Sequence, residues 1–340
     1  MASSKEKRKK KDKDEEVDND KTSLLKTTKS TRLRLGIFIK RCLEKSPTGL
    51  RAEFQSMKRS NNWEVMKAFK AANETGRNRY KDVGCLDASR VKLKTPPWTH
   101  EYIHGNYVAT PSNPKRFICT QAPLEKTCAD FWFMCLTERV EVIFMLCNLS
   151  EKGAKKCFEY YPTKEKETLS FEEGSNKITV KQLGSKWFKF GGKNITAKVK
   201  ETTLIIEGLS EKPLKTYHYH WIDWPDRGVP SADTAIIQLL EKTRGSAYPI
   251  VVHCSAGIGR TGSVVMIEYI LEQAKTAEVE DTDKILIKIR EQRNNSVQTD
   301  HQYLFVHQVL LNYFKLRCAL PEHVAKAQSK FTAEYEKLVA

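Results

Sequence analysis

Apolar residues at Leu33, Leu35, Ile37, Phe38 and Leu43, then Leu50, Phe54 and Met57, recur with the spacing of short amphipathic helices. Between residues 90 and 220 the period changes. Short β-rich runs at 117–120, 141–146, 178–181, 195–199 and 203–206 are separated by Gly, Asn, Ser and Lys, which predicts a mixed or mostly antiparallel sheet. Segment 129–136 (ADFWFMCL) reads as a buried helix. Beyond residue 230 helical patterns dominate, at 234–242, 261–274, 284–293 and 302–316, interrupted by one apolar strand at 249–253. The sum is a single α+β domain over residues 33–318. A tail, 1–32, precedes it and a helical extension, 319–340, follows.

Composition sharpens that outline. The tail carries a basic block from Lys5 to Lys13 and an acidic run from Asp14 to Asp20, too polar to offset the entropy of ordering, so disorder is expected there. Its cluster Lys7-Arg8-Lys9-Lys10-Lys11 suits an acidic surface or the import machinery, which would add a nuclear location. Residues 1–34 hold 12 Lys/Arg against 7 Asp/Glu, and the rest of the chain 46 against 35, so the excess extends into the domain and favours an anionic ligand. No apolar run reaches the roughly 18 residues of a membrane span, and none follows the N-terminus as in a secretory leader. Nine scattered cysteines, without Cys-x-x-Cys, argue against a disulfide framework or a zinc site and for free thiols in a reducing, cytoplasmic setting.

One stretch carries chemistry: Pro249-Ile-Val-Val-His253-Cys254-Ser255-Ala256-Gly257-Ile258-Gly259-Arg260-Thr261-Gly262. An apolar strand ends at His253, small residues form a loop, and a helix follows. Backbone N–H groups of such a loop converge on one point, and the helix N-terminus adds positive potential there. Cys254 at the base becomes a thiolate candidate, and Arg260 can grip two oxygens of a tetrahedral anion with its planar fork. A thiolate beneath a bound phosphoryl group is set for in-line attack on phosphorus. P-loop nucleotide sites use Lys-Ser/Thr, which is absent here.

This loop resembles the signature of the cysteine-based protein tyrosine phosphatase family, non-receptor type. The resemblance extends over about residues 50–318. In order come Asn78-Arg79-Tyr80-Lys81-Asp82-Val83, Tyr102-Ile-His-Gly-Asn-Tyr107, Thr120-Gln-Ala-Pro123, Glu151-Lys-Gly153, Trp224-Pro225-Asp226 and Val297-Gln298-Thr-Asp-His-Gln302-Tyr303. It implies a central twisted mixed sheet flanked by helices, and hydrolysis of phosphotyrosine in proteins through a phosphocysteine on Cys254. By the same resemblance Asp226 is general acid and then base on a closing loop anchored by Trp224 and hinged at Gly228. Arg260 holds phosphate with residues 255–259, and Thr261 assists the departing thiolate. Gln298 and Gln302 orient water. Tyr80 walls the slot, with Lys81 and Asp82 beside it, the lysine favouring acidic flanks. Glu151 presets Arg260, and Arg90 resembles a structural arginine under the site. No metal or cofactor is implied and no nucleic acid is required; the partners are phosphotyrosine-containing proteins.

The alternative from another class is a phosphotyrosine-binding pseudophosphatase or adaptor using the same pocket. Such relatives usually lose the nucleophile, the acid or the arginine, and all three are present. A dual-specificity or phosphoinositide phosphatase fits the 78–83 run poorly. Departures from the family pattern are Ala122, Arg227, Asn295 and Ser296.

Overall fold

The apolar run before the signature loop becomes β11 (Ile250–His253), completely buried and paired in parallel on both sides. A continuous β-branched segment suits that place, because a parallel strand covered on both faces has no solvent side to alternate toward. The computed structural model describes residues 28–340 apart from 193, 318 and 319. In it β11 is an interior strand, fourth of nine in a mixed sheet. On one side lie β3 (Asn113–Thr120), β2 (Tyr102–Thr110) and β1 (Arg90–Lys92). On the other lie β4 (Val142–Met145), β10 (Ser210–Trp221), β9 (Val199–Gly208), β8 (Asn176–Trp187) and β7 (Thr168–Glu173). Strands β3, β11, β4 and β10 run parallel and the outer pairs are antiparallel. A small hairpin, β5 (Ser150–Glu151) with β6 (Ala154–Lys155), stands apart from the sheet.

Helix α5 (Gly259–Thr276) follows β11 and is the hub of the helical packing. It contacts α1 (Lys29–Ser56), α4 (Ala235–Lys242), α6 (Thr282–Arg290) and α7 (Asp300–Arg317). Helix α3 (Cys128–Thr137) instead packs on β7 and β8. The short α2 (Lys67–Asn73) covers β2. The expected pair of opening helices is α1, broken at Ser46 (φ +58°) where Pro47 cannot continue the hydrogen-bond ladder. Helix α1 begins at Lys29, behind a Thr28 hydroxyl that accepts from Thr31 N (3.1 Å), so its first turn occupies the end of the segment assigned to the tail. The basic and acidic blocks themselves lie outside the described residues. The C-terminal extension forms α8 (Glu322–Val339), which buries Phe331 and Tyr335 against the domain and packs on α1 and α7.

The run 195–199 is not a strand before Val199. Strand β8 ends at Trp187, opposite Lys200, and residues 195–198 have no ladder partner among the described residues. Likewise α6 stops at Arg290, and 291–297 is a loop carrying part of the site.

Candidate active site

Parallel strands leave a crevice at their carboxyl ends, and β11 delivers Cys254 there. Helix α5 starts at Gly259 without a side-chain cap, so its first-turn N–H groups face the loop and give the site fixed positive potential. Gly257 closes the turn at φ +71°; a Cβ there would stand 2.0 Å from Thr120 O. Its N–H donates to Cys254 Sγ (3.2 Å).

Burial alone raises a thiol, and it does so at Cys42, Cys85, Cys119, Cys128, Cys135 and Cys147. At Cys254 burial has the same sense but is outweighed, by the Arg260 guanidinium first, then the Thr261 hydroxyl and N–H and the Gly257 N–H. The net pKa is lowered, which favours a thiolate. The Thr261 hydroxyl is buried and has no other hydrogen-bond partner.

Arg260 is 2% exposed. Its Nη1 and Nη2 donate to Glu151 Oε1 and Oε2 (2.6 and 2.8 Å), a bidentate grip delivered by the β5–β6 hairpin. Burial would lower its pKa, but Glu151 and the neighbouring thiols raise it, so the cation is secure. The same guanidinium reaches the lid: Nη1 to Trp224 O (3.1 Å) and Nη2 to Asp226 Oδ1 (3.0 Å). Asp226 Oδ2 also accepts from Lys156 Nζ (2.8 Å). Partial burial raises the Asp226 pKa, but Lys156 and then Arg260 overcome this and leave it below the ordinary carboxylate value. The loop Trp224–Asp226 is therefore held against Arg260 and Lys156. Trp224 anchors it, stacked edge-on to Trp221 and Phe305. The left-handed residue of the lid is Arg227 (φ +60°) rather than Gly228, and Arg227 O accepts from Thr299 Oγ1 (3.3 Å).

A cavity of about 110 Å³ collects the groups expected from the sequence: Tyr80, Asp82, Asp226, Cys254, Ser255, Ala256, Gly259, Arg260, Gln298 and Gln302. Tyr80 OH hydrogen-bonds Ser255 Oγ (2.8 Å), fixing the ring at the cavity wall. Lys81 is exposed beside it and does not line the cavity. His253, Glu151, Trp224, Thr261, Gly257 and Ile258 stand behind the lining. His253 is bracketed by Cys254 O and Tyr160 OH, and burial drives its pKa to about 3, so it is neutral. The two glutamines differ. Gln302 Oε1 accepts from Gln298 N (2.9 Å) and Thr299 N (3.3 Å), which makes Gln302 a brace for the loop that holds Gln298. Val297, just before it, is a β-branched residue at φ +58°, a strain of about 1–3 kcal/mol, held by its N–H on Ile258 O (2.9 Å). A larger concavity of about 940 Å³, beside α4 and α7, contains none of these groups.

Arg90 is not under the site. It pairs with Glu101 on the sheet edge, because Arg90 opens β1, which is separated from β11 by β2 and β3. The arginine beneath the loop is Arg293. It is fully buried and donates from Nε to Gly257 O (3.0 Å), from Nη2 to Ala256 O (3.1 Å) and from Nη1 to Asn106 Oδ1 (2.8 Å). Arg79 braces the adjoining segment through Ala122 O and Pro123 O, and Ala122 N–H donates to Ser255 O (3.0 Å). Neither Arg293 nor Lys156 carried a local sequence signal.

The comparisons with known proteins agree with this geometry. The family model for the protein-tyrosine phosphatase matches residues 74–312. The chain is 38% identical over 247 residues to rat receptor-type tyrosine-protein phosphatase zeta, covering 69% of this chain and 10% of that protein. It is 33% identical over 255 residues to human tyrosine-protein phosphatase non-receptor type 12, covering 72% and 31%. The crystal structure of the catalytic domain of human protein tyrosine phosphatase non-receptor type 18 superposes with a TM-score of 0.66 at 27% identity, over 84% of this chain and 99% of that domain. The fold and site thus define a protein tyrosine phosphatase domain. This chain belongs to the protein-tyrosine phosphatase family, and its match covers from 10% to 47% of the length of curated relatives such as these. No helix among the described residues is long and apolar enough to cross a membrane.

Proposed function

We propose that the chain hydrolyses phosphotyrosine in proteins by way of a phosphocysteine. The observation that carries the reading is the pairing of one lowered thiol, Cys254, with Arg260 and Asp226 over a single cavity. Two phosphate oxygens displace Asp226 from Arg260 and settle on the loop N–H groups. The arriving dianion also reverses the field on Asp226, raising its pKa toward protonation. Cys254 Sγ attacks phosphorus, the P–O bond to tyrosine breaks, and Asp226 gives its proton to the leaving phenolate, a poor leaving group otherwise, since phenol has a pKa of about 10. Gln298 then orients a water, Asp226 takes its proton as the water oxygen bonds to phosphorus, the P–S bond breaks, and the thiolate departs toward the Thr261 hydroxyl. Inorganic phosphate and tyrosine are the products.

Tyr80 at the wall supports selection of an aromatic phosphoester over phosphoserine, and Arg227 and Lys81 at the rim favour acidic flanks. The substrates are phosphotyrosine-containing proteins, and scattered cysteines without Cys-x-x-Cys suit a cytoplasmic place. The N-terminal basic cluster serves as an acidic-surface or nuclear-import contact. Initial rates on matched phosphotyrosyl and phosphoseryl peptides, for wild type and Cys254→Ser, test the assignment. Turnover of the tyrosyl peptide alone, abolished by the substitution, is expected; equal turnover of both peptides, or activity surviving Cys254→Ser, contradicts it.

A further inference from the structure

Outside the phosphate cavity, three side chains from distant parts of the chain bring metal-ligating atoms together. His100 lies just before β2, Asp130 in the first turn of α3 and Glu173 at the end of β7. One donor atom from each lies within 4.8 Å of the others, the one such group of three among the described residues. His100 Nε2 is 3.1 Å from Asp130 Oδ1 and 3.7 Å from Glu173 Oε1. Ligands on a tetrahedral zinc ion, with bonds of about 2.0–2.2 Å, stand roughly 3.3–3.5 Å apart, so these separations bracket the coordinated distance.

A second observation points the same way. Asp130 is 1% exposed and its Oδ2 has no hydrogen-bond partner, and both ring nitrogens of His100 are buried without one. The neighbours stand where an outer shell would: Trp98 Nε1 donates to Asp130 Oδ1 (2.8 Å) and Thr99 Oγ1 to Glu173 Oε1 (2.6 Å), fixing both carboxylates. Arg77 Nη2 donates to Glu173 Oε1 (3.3 Å), and its Nε lies 3.4 Å from Asp130 Oδ2 without aligning for a hydrogen bond. Arg77 offsets one of the two negative charges and leaves one for an incoming dication.

We infer that His100, Asp130 and Glu173 form a site for a divalent transition cation, with Zn²⁺ the best match to one imidazole and two carboxylates. The ion would tie α3 and β7 to the segment entering β2. It would also steady Arg77, whose carbonyl accepts from Gln121 Nε2 (2.8 Å) while Gln121 Oε1 holds Arg79 N (2.9 Å), next to Tyr80.

The test uses the full chain as Cys254→Ser, which removes the reactive thiol as a competing ligand, titrated with ZnCl₂ in a calorimeter. Tight uptake is expected to fall by one equivalent, or to weaken at least about 10-fold, in both His100→Gln and Glu173→Gln made on that background. Zinc should raise the thermal midpoint of the parent but not of the variants, and Co²⁺ should give visible d–d absorption that His100→Gln removes. Far-ultraviolet circular dichroism establishes that each variant is folded. Zinc uptake unchanged in both variants, or no uptake by the parent, overturns the site.

Discussion

Replacing Gly257 by alanine perturbs the thiolate without touching any group that contacts substrate through a side chain. Two costs can be read from the coordinates. The residue sits at φ +71°, where an L side chain loses about 1–2 kcal/mol. Its Cβ would lie 2.0 Å from Thr120 O, and contacts shorter than 3.0 Å are essentially never seen, so the loop or β3 must give by about 1 Å. Thr120 is paired in the sheet and its hydroxyl is held by His104 O, so the loop is the part that moves. That displacement takes the Gly257 N–H away from Cys254 Sγ and shifts the sulfur relative to Arg260. A misplacement of this size costs about 10²-fold in rate. Two readouts follow: kcat/KM on a phosphotyrosyl peptide should drop by about that factor, and the pH profile of Cys254 alkylation by iodoacetamide should move to higher pH, as one contribution lowering its pKa is lost. Alanine at 257 with wild-type kcat/KM and an unmoved alkylation profile would refute the loop geometry as the source of the thiolate.

Under the proposed mechanism kcat, which reports the substrate complex in which the dianion has raised Asp226, rises as Cys254 ionises and falls as Asp226 loses its proton. Lys156→Gln removes a cation that lowers the Asp226 pKa, so the alkaline limb of that bell should move to higher pH while the acid limb stays, as read from rates between pH 4 and 9. Tyr80→Ala removes an aromatic wall worth about 0.5–1.5 kcal/mol, so preference for phosphotyrosyl over phosphoseryl peptide should narrow by about 2- to 12-fold in competition assays. Phe331→Ala should cost about 3 kcal/mol in urea unfolding, at the low end for a buried phenylalanine because α8 lies at the surface, with kcat/KM of the folded enzyme unchanged.

The chemistry was legible in the sequence where it is local. Strand, cysteine loop and helix occupy 249–276 without interruption, and glycine at 257 and arginine at 260 declare a tight anion cradle by residue type alone. The lid was legible for the same reason, since Trp224, Pro225 and Asp226 are neighbours. What the linear pattern hid is held across distance. Arg293 reaches Gly257 O from 36 residues away and Lys156 reaches Asp226 from 70, and an isolated cation among 58 has no mark of its own. Arg90 illustrates the converse, a plausible local motif whose strand lies at the far edge of the sheet. Residues 195–198 are strand-like in type but pair with no described strand, because a strand is a property of two chains in register, and only Val199 at the end of the run enters β9.

The central claim is that Cys254 sulfur bonds to phosphorus during turnover, and trapping that bond tests it most directly. Gln298→Ala should slow hydrolysis of the intermediate more than its formation. Mixing that variant with a phosphotyrosyl peptide, quenching in acid within a turnover and mapping the chain by mass spectrometry should find the phosphoryl group on the peptide containing Cys254. Tyrosine released in step with inorganic phosphate, with no phosphoryl group on that cysteine at any time, would contradict it.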